Sequence, residues 1–222
     1  MKKILSLLLS TLNNNYDDIV MIEILNPTQF KTIPWKNGQG ETTELAINEG
    51  GSLDDFDWRL SIASVSNDGL FSNFSGYQRN LILIDGQGLS LQHDEKSTDV
   101  LENLLDIASF DGACQTYGRL TLGAIKDFNI ITKTTKVTPQ ILCHVGSQQV
   151  LVELLHNSIC FAYSLTDEMV VEALDAHISV LPVGHLAKLS TQKNDNKAGS
   201  LKIKFTGKNM IIVQLNMIKN GF

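Results

Sequence analysis

From residue 41 onward, apolar and polar positions alternate along most of the chain. In "ETTELAI", Thr43, Leu45 and Ile47 share one face, and Thr42, Glu44 and Ala46 take the other. "DWRLSIA" places Trp58, Leu60 and Ile62 opposite Asp57, Arg59 and Ser61. A period of two marks half-buried β-strands. "NLILIDGQGLSLQH" reads as two apolar runs joined by Asp85-Gly86-Gln87-Gly88, which predicts a hairpin. "TPQILCHV", "QVLVELL", "ICFAYSL" and "HISVLPVG" continue the strands, and "NMIIVQLNMI" closes the series. One stretch departs from alternation. In "STDVLENLLDIASF", Val100, Leu101, Leu104, Leu105 and Ala108 fit one helical face, and an irregular insertion fits equally well. "STQKNDNKAGS" is a polar loop.

An internal similarity adds to this reading. "LILIDGQGLSL" at 81–91 and "VELLHNSICFA" at 152–162 are each an apolar strand, a short polar turn and a second apolar strand. Two copies of one unit suggest two related β-barrel halves. Many short strands with turn signals point independently to a sandwich or barrel.

Composition narrows the function classes. A chain of 222 residues suits one large all-β domain or two small ones packed together. The net charge of -6 argues against nucleic-acid binding, which needs a basic face, but leaves room for a local basic pocket. The odd set of Cys114, Cys143 and Cys160 has no metal-ligand spacing and indicates inert thiols in a reducing compartment. "MKKILSLLLSTL" has the outline of a signal peptide but no cleavage site after it, and it is too short to span a bilayer. Residues 1–20 are therefore expected to be an extension added by an upstream start, with Met21 as the native start.

Candidate chemistry is sparse. The five histidines form neither His-x-His nor His-Glu-x-x-His, and "LPVGHL" only approaches a cupin metal motif, so neither metal nor cofactor is expected. No Gly-x-Ser-x-Gly or Cys-His context supports a nucleophile, so no catalytic residue is assigned. "NGQGETT" lacks the downstream helix that would hold a phosphate. Arg59 lies on the polar face of a well-formed strand, Arg79 heads the next apolar strand, and Lys36 flanks a turn at Asn37-Gly38. An Arg fork grips a carboxylate through two parallel hydrogen bonds. If Arg59 points into a barrel, it needs an anionic partner: a ligand, or one of Asp57, Glu44 and Asp127. "KDFNIITK" is either a turn in which Asp127 caps its own backbone or a strand that delivers Asn129 to a pocket. Trp35 either stacks over a ligand or closes a barrel end, whereas Trp58 belongs to the core.

Several stretches together resemble the HutD/Ves family: "PWKNGQGETTEL", "FDWRLSIASVSNDGLFSNFSGYQRNLILIDGQGLSL", "FDGACQTYG" and "LGAIKDFNII". The resemblance is specific over residues 22–135 and general beyond. It implies an all-β bicupin, with two cupin-type barrels (jelly rolls) in one chain and few short helices. The first barrel is then expected over 21–140 and the second over 141–222. It further implies a cytoplasmic bacterial protein linked to histidine utilisation or stress response, and no firmly established catalysis. The family's pocket pattern falls on Lys36, Asn37, Thr43, Arg59, Ser61 and Arg79, with Asp111, Asp127 and Asn129 in its later blocks. The chain departs from the pattern at Gln39, at Ala113 and in "TKTTK" after the Asp-Phe-Asn block, which leans it towards Ves.

The expected function is binding of a small anionic metabolite, of the N-formylglutamate or urocanate kind, without metal. Lys36, Asn37, Thr43, Arg59, Ser61, Arg79, Asp127 and Asn129 would line the site. No nucleic-acid or membrane partner is expected, and a cupin sheet edge suits a homodimer. Two alternatives remain. One is an enzyme acting on a small amide or imidazole-derived acid, with Glu44, Asp127 or His185 as base. The other is a protein-interaction module with a vestigial pocket.

Overall fold

The structure, a computed structural model, describes residues 19–35, 38, 40–173, 177–192 and 200–218. In chain order the first strands are β1 (Ile19–Leu25), β2 (Lys31–Pro34), β3 (Gly40–Ile47), β4 (Trp58–Val65), β5 (Gly69–Leu70) and β6 (Tyr77–Asp85). Next come β7 (Leu89–His93), β8 (Ser97–Leu101), β9 (Ile107–Asp111), β10 (Thr116–Leu120), β11 (Ile125–Lys133) and β12 (Val137–Leu155). The last are β13 (Ser158–Ser164), β14 (Met169–Ala173), β15 (His177–Leu181), β16 (Leu186–Gln192) and β17 (Ser200–Met217). A single turn of 3-10 helix, Pro27–Gln29, follows β1 and is closed by a capping box between Asn26 and Gln29.

These strands make three sheets. One runs β2-β3-β4-β11-β6-β9, a second β5-β10-β7-β8, and a third β1-β16-β13-β17-β14-β15 with β12 also on β17. The first two sheets enclose one cupin-type barrel, and the third wraps around an interior of its own, so the fold is an all-β bicupin. β1 pairs along its length with β16, so the first described strand belongs to the sheet of the C-terminal half.

Alternation explains how the barrels join. Trp58 and Leu60 of β4, Ile82 of β6, and Phe128 and Ile130 of β11 point away from the first barrel. They meet Phe161, Tyr163, Ile211 and Val213 of the third sheet in one buried cluster. Trp58 packs on Phe161 at 5.1 Å between ring centroids, and Phe128 on Tyr163 at 5.4 Å. The second barrel's interior is apolar, built on Leu154, Val171, Leu189, Ile203 and Phe205. The first barrel's interior is apolar around Leu83, Leu89 and Leu91, and becomes polar towards Arg59 and Arg79.

Two expectations need correction. Asp85-Gly86-Gln87-Gly88 is not a hairpin turn. β6 pairs with β11 and β9, while β7 pairs with β10 and β8, so the turn carries the chain from one sheet to the other. Gly86 has φ 100°, and a Cβ there would sit 2.8 Å from the Ala124 carbonyl oxygen, so glycine is demanded by a crossing as much as by a hairpin. The stretch 97–110 is neither helix nor insertion but β8, a turn and β9. The Asp106 carboxylate accepts from the backbone amides of Glu102 and Asn103 and builds the turn that interrupts the strands.

Candidate functional site

β4, β11 and β6 run side by side, and their inward faces form the floor of a cavity in the first barrel. In register, Ile131 of β11 lies between Arg59 of β4 and Arg79 of β6. Two strand spacings put those arginine Cα atoms roughly 10 Å apart. One step along, Asn129 lies beside Ser61, and one further, Asp127 lies beside Ala63. The cavity has a volume of about 480 Å³. Arg59, Ser61, Arg79 and Asn129 supply polar groups, while Ile33, Trp35, Leu53, Leu70, Phe71 and Phe74 wall it.

The two arginines are held differently. Both are buried, each 5% exposed. Arg59 Nε donates to Glu44 Oε2 at 2.7 Å, an ion pair within the protein. Arg79 has no carboxylate within ion-pair distance among the described residues. Its Nη1 donates to the Ser72 carbonyl at 3.0 Å and its Nη2 to Asn129 Oδ1 at 3.3 Å. Phe71, Phe74 and Phe110 surround the guanidinium at 5.1–5.4 Å, a cation–π cage that fixes its plane. Burial lowers the Arg79 pKa to about 10, with Asp127 pulling it back up, so the group stays charged.

Asp127 is fully buried and does not reach the cavity. Asn129 Nδ2 donates to Asp127 Oδ1, while Oδ2 has no hydrogen-bond partner among the described residues. Burial pushes the Asp127 carboxyl up to about 7, against the pull of Arg79 and the Asn129 amide. The folded value lies above the ordinary aspartate value of about 3.9. Folding therefore takes up a proton, and the stability this contributes is full below about pH 4 and lost as pH rises through 7. Asp127→Asn, neutral at every pH, is thus expected to gain on the wild type by about 2–3 kcal/mol more at pH 8 than at pH 5. Urea unfolding at the two pH values measures this, and an equal difference at both would refute it.

The profile of the HutD family matches residues 27–212. The chain belongs to the HutD family. It is 31% identical over 163 residues to a 21.2 kDa protein from the hutC 3′ region of Pseudomonas putida, covering 73% of this chain and 79% of that relative. Over 100 residues it is 35% identical to protein Ves of Escherichia fergusonii, covering 45% of this chain and about half, 51%, of Ves. The structure of HutD from Pseudomonas fluorescens SBW25, determined in a formate condition, superposes with a TM-score of 0.73 at 30% identity. That match covers 90% of this chain and all of the other.

Within this HutD-family fold, only some of the residues proposed from sequence come together. Arg59, Ser61, Arg79 and Asn129 meet in the cavity. Asp127 stands behind Asn129, within β11 and not in a turn, because its face of the strand is turned into the barrel. Thr43 faces away from the cavity: its hydroxyl bonds Thr32 at 2.8 Å, and Thr42 lines the cavity in its place. Lys36 and Asn37 lie outside the described residues. Asp111 is exposed and accepts from the Ala113 amide.

Sequence reasoning missed the segment 67–74, which brings Phe71, Ser72 and Phe74 to Arg79. The available signal was two phenylalanines in a Ser/Asn/Gly-rich stretch, with no alternation to bury them. Trp35 lines the cavity and donates from Nε1 to Thr42 Oγ1 at 2.8 Å. Its ring crosses Gly40, where a Cβ would lie 3.0 Å from the indole and 2.2 Å from the Ser64 carbonyl oxygen. Gly40→Ala therefore forces β3 off β4, and a loss of at least roughly 2 kcal/mol is expected in thermal unfolding. A variant as stable as the wild type would contradict this placement.

The alternative bases fare as follows. Glu44 is committed to Arg59. His185 is absent from the cavity lining and bonds the Val183 carbonyl. No group of three or more His, Cys, Asp or Glu side chains is placed to hold a metal among the described residues. Burial pushes Cys143 and Cys160 up to about 12, which keeps both thiols protonated at neutral pH. No helix among the described residues is long and apolar enough to cross a membrane.

Proposed function

We propose that this protein binds a small carboxylate in the first barrel and acts as a regulatory sensor in histidine utilisation or stress response. The observation that carries the reading is the pair of buried guanidiniums in one cavity, only one of which has a carboxylate partner of its own among the described residues. Arg79 reaches Asp127 only through the Asn129 amide and makes no direct ion pair among the described residues, so its buried charge is only partly compensated, and a ligand carboxylate relieves that cost. Arg79 is the anchor, Arg59 the second cation, and Ser61 and Asn129 orient the ligand. The apolar walls accept a short uncharged body. The lining offers donors for an anion and no His, Cys, Asp or Glu among the described residues, which favours an anion over a metal ion.

The relative from the hutC 3′ region and the HutD structure from P. fluorescens support the link to histidine utilisation. N-formylglutamate and urocanate are the first ligands to try, in a cytoplasmic protein. Isothermal titration with these two, glutamate and formate tests the binding. Saturable binding of at least one is expected, and heats no greater than dilution for all four would sink the reading. The regulatory part is tested separately: deleting the gene should change the level of histidine-degrading enzymes during growth on histidine.

A further inference from the structure

The binding reading leaves one buried charge unused. Asp127 has one oxygen on Asn129 and one with no hydrogen-bond partner among the described residues, deep in the first barrel. Asn129 connects it to the cavity. The amide donates to Asp127 from Nδ2 and accepts from Arg79 at Oδ1, so its orientation is fixed by the two charges it joins.

Among the described residues, few other charges surround Asp127. From β6 it faces Arg79, with Leu83 beside it in register. From β4 it meets Ala63, and Arg59 lies two register steps away, already paired with Glu44 of β3. From the opposite sheet β7 presents Leu89 and Leu91, and further along His93, held by Thr116 at 2.9 Å and Asp99 at 3.3 Å. On β11 itself the neighbouring Lys126 is exposed. Arg79 is thus the cation joined to Asp127 among the described residues, through the Asn129 amide and not by a direct ion pair, and it is the same cation on which the ligand is anchored.

Resting on the carboxylate reading above, we propose that Asp127 and the ligand are alternative counter-anions of Arg79, so that a carboxylate binds together with one proton, which goes onto Asp127. The proton comes from solvent and forms an O–H bond at Oδ2, the oxygen without a hydrogen-bond partner among the described residues; the Asn129 bond to Oδ1 is kept. The cavity region then exchanges one anion for another and keeps its charge balance.

With the Asp127 carboxyl near 7 in the empty protein, it is already neutral at pH 6 and must be protonated at pH 8. Affinity is level below pH 6 and falls as pH rises.

Formate is the probe, because it does not titrate in this range and fits any carboxylate site. Trp35 in the cavity wall supplies the fluorescence signal. Titration with sodium formate at constant ionic strength, with chloride as control, is expected to give a Kd about tenfold weaker at pH 8 than at pH 6 for the wild type. Asp127→Asn is expected to show the same Kd at both. A wild-type Kd independent of pH overturns proton coupling and leaves the carboxylate site standing. A pH dependence that persists in Asp127→Asn also overturns it, by placing the titrating group elsewhere. No formate binding at any pH in either protein overturns the proposal at its premise, that a bare carboxylate takes the place of Asp127 at Arg79, while the carboxylate reading itself is decided by the four-ligand titration. Should Asp127→Asn fail to fold, carbon NMR of the wild-type Asp127 carboxyl decides: its pKa rises with formate, or the proposal fails.

Discussion

Arg79→Gln is expected to weaken carboxylate binding by roughly 30-fold to more than 1,000-fold while the protein stays folded. The range corresponds to about 2–5 kcal/mol, the usual cost of truncating one partner of a buried, hydrogen-bonded charge pair. Arg79 is set in place by Ser72, Asn129 and three phenylalanine rings, so its guanidinium spends little entropy when a ligand arrives. Glutamine keeps polarity and loses both the charge and the fork. Arg59→Gln is a different case. It leaves Glu44, whose side chain is 20% exposed, without its cation, and the result mixes lost binding with lost stability. Calorimetry with far-ultraviolet circular dichroism separates the two. An Arg79→Gln protein that binds as tightly as the wild type would remove Arg79 from the site.

Phe161→Ala is expected to cost about 3–5 kcal/mol of stability. Phe161 is fully buried, lies on Trp58, and belongs to the cluster that joins the two barrels. Its removal leaves a void bounded by two sheets, neither of which can close in without breaking its own pairing. For a chain of this size the loss corresponds to a fall in melting temperature of roughly 6–20 °C. Urea unfolding of the variant is the check, and a loss below about 1 kcal/mol would show that this cluster does not bind the barrels together.

The alternation in "DWRLSIA" made β4 legible in sequence. The two faces it separates are the ones observed: Trp58 and Leu60 lie in the inter-barrel core, and Arg59 and Ser61 line the cavity. The strand in "ETTELAI" was legible, but Thr43, the pocket position implied by the family resemblance, faces away from the cavity and Thr42 lines it. Alternation gives two faces and does not say which of two hydroxyls looks inward; the ion pair of Glu44 with Arg59 decides it. The stretch 97–110 misled because two strands and an Asp106-built turn place their leucines at helical spacing by coincidence. The sheet crossing at 85–88 misled because a turn between apolar runs has the same chemistry whether the runs pair with each other or with distant strands. Between a turn at Asp127 and a strand that delivers Asn129, the pattern of "KDFNIITK" did not decide, and the resemblance put Asp127 itself in the lining; its tie to Arg79 spans 48 positions of sequence, with nothing local to signal that it stands behind Asn129.

The most direct test of a carboxylate site on Arg79 is a thermal-shift measurement on the wild type and Arg79→Gln, with N-formylglutamate, urocanate, glutamate and formate. A ligand at 100 times its Kd adds about 2.7 kcal/mol. That corresponds to a rise of roughly 5–10 °C for a chain of this size. A rise with at least one carboxylate in the wild type, absent in Arg79→Gln, is the predicted result. No rise with any of the four, or an equal rise in both proteins, would contradict it.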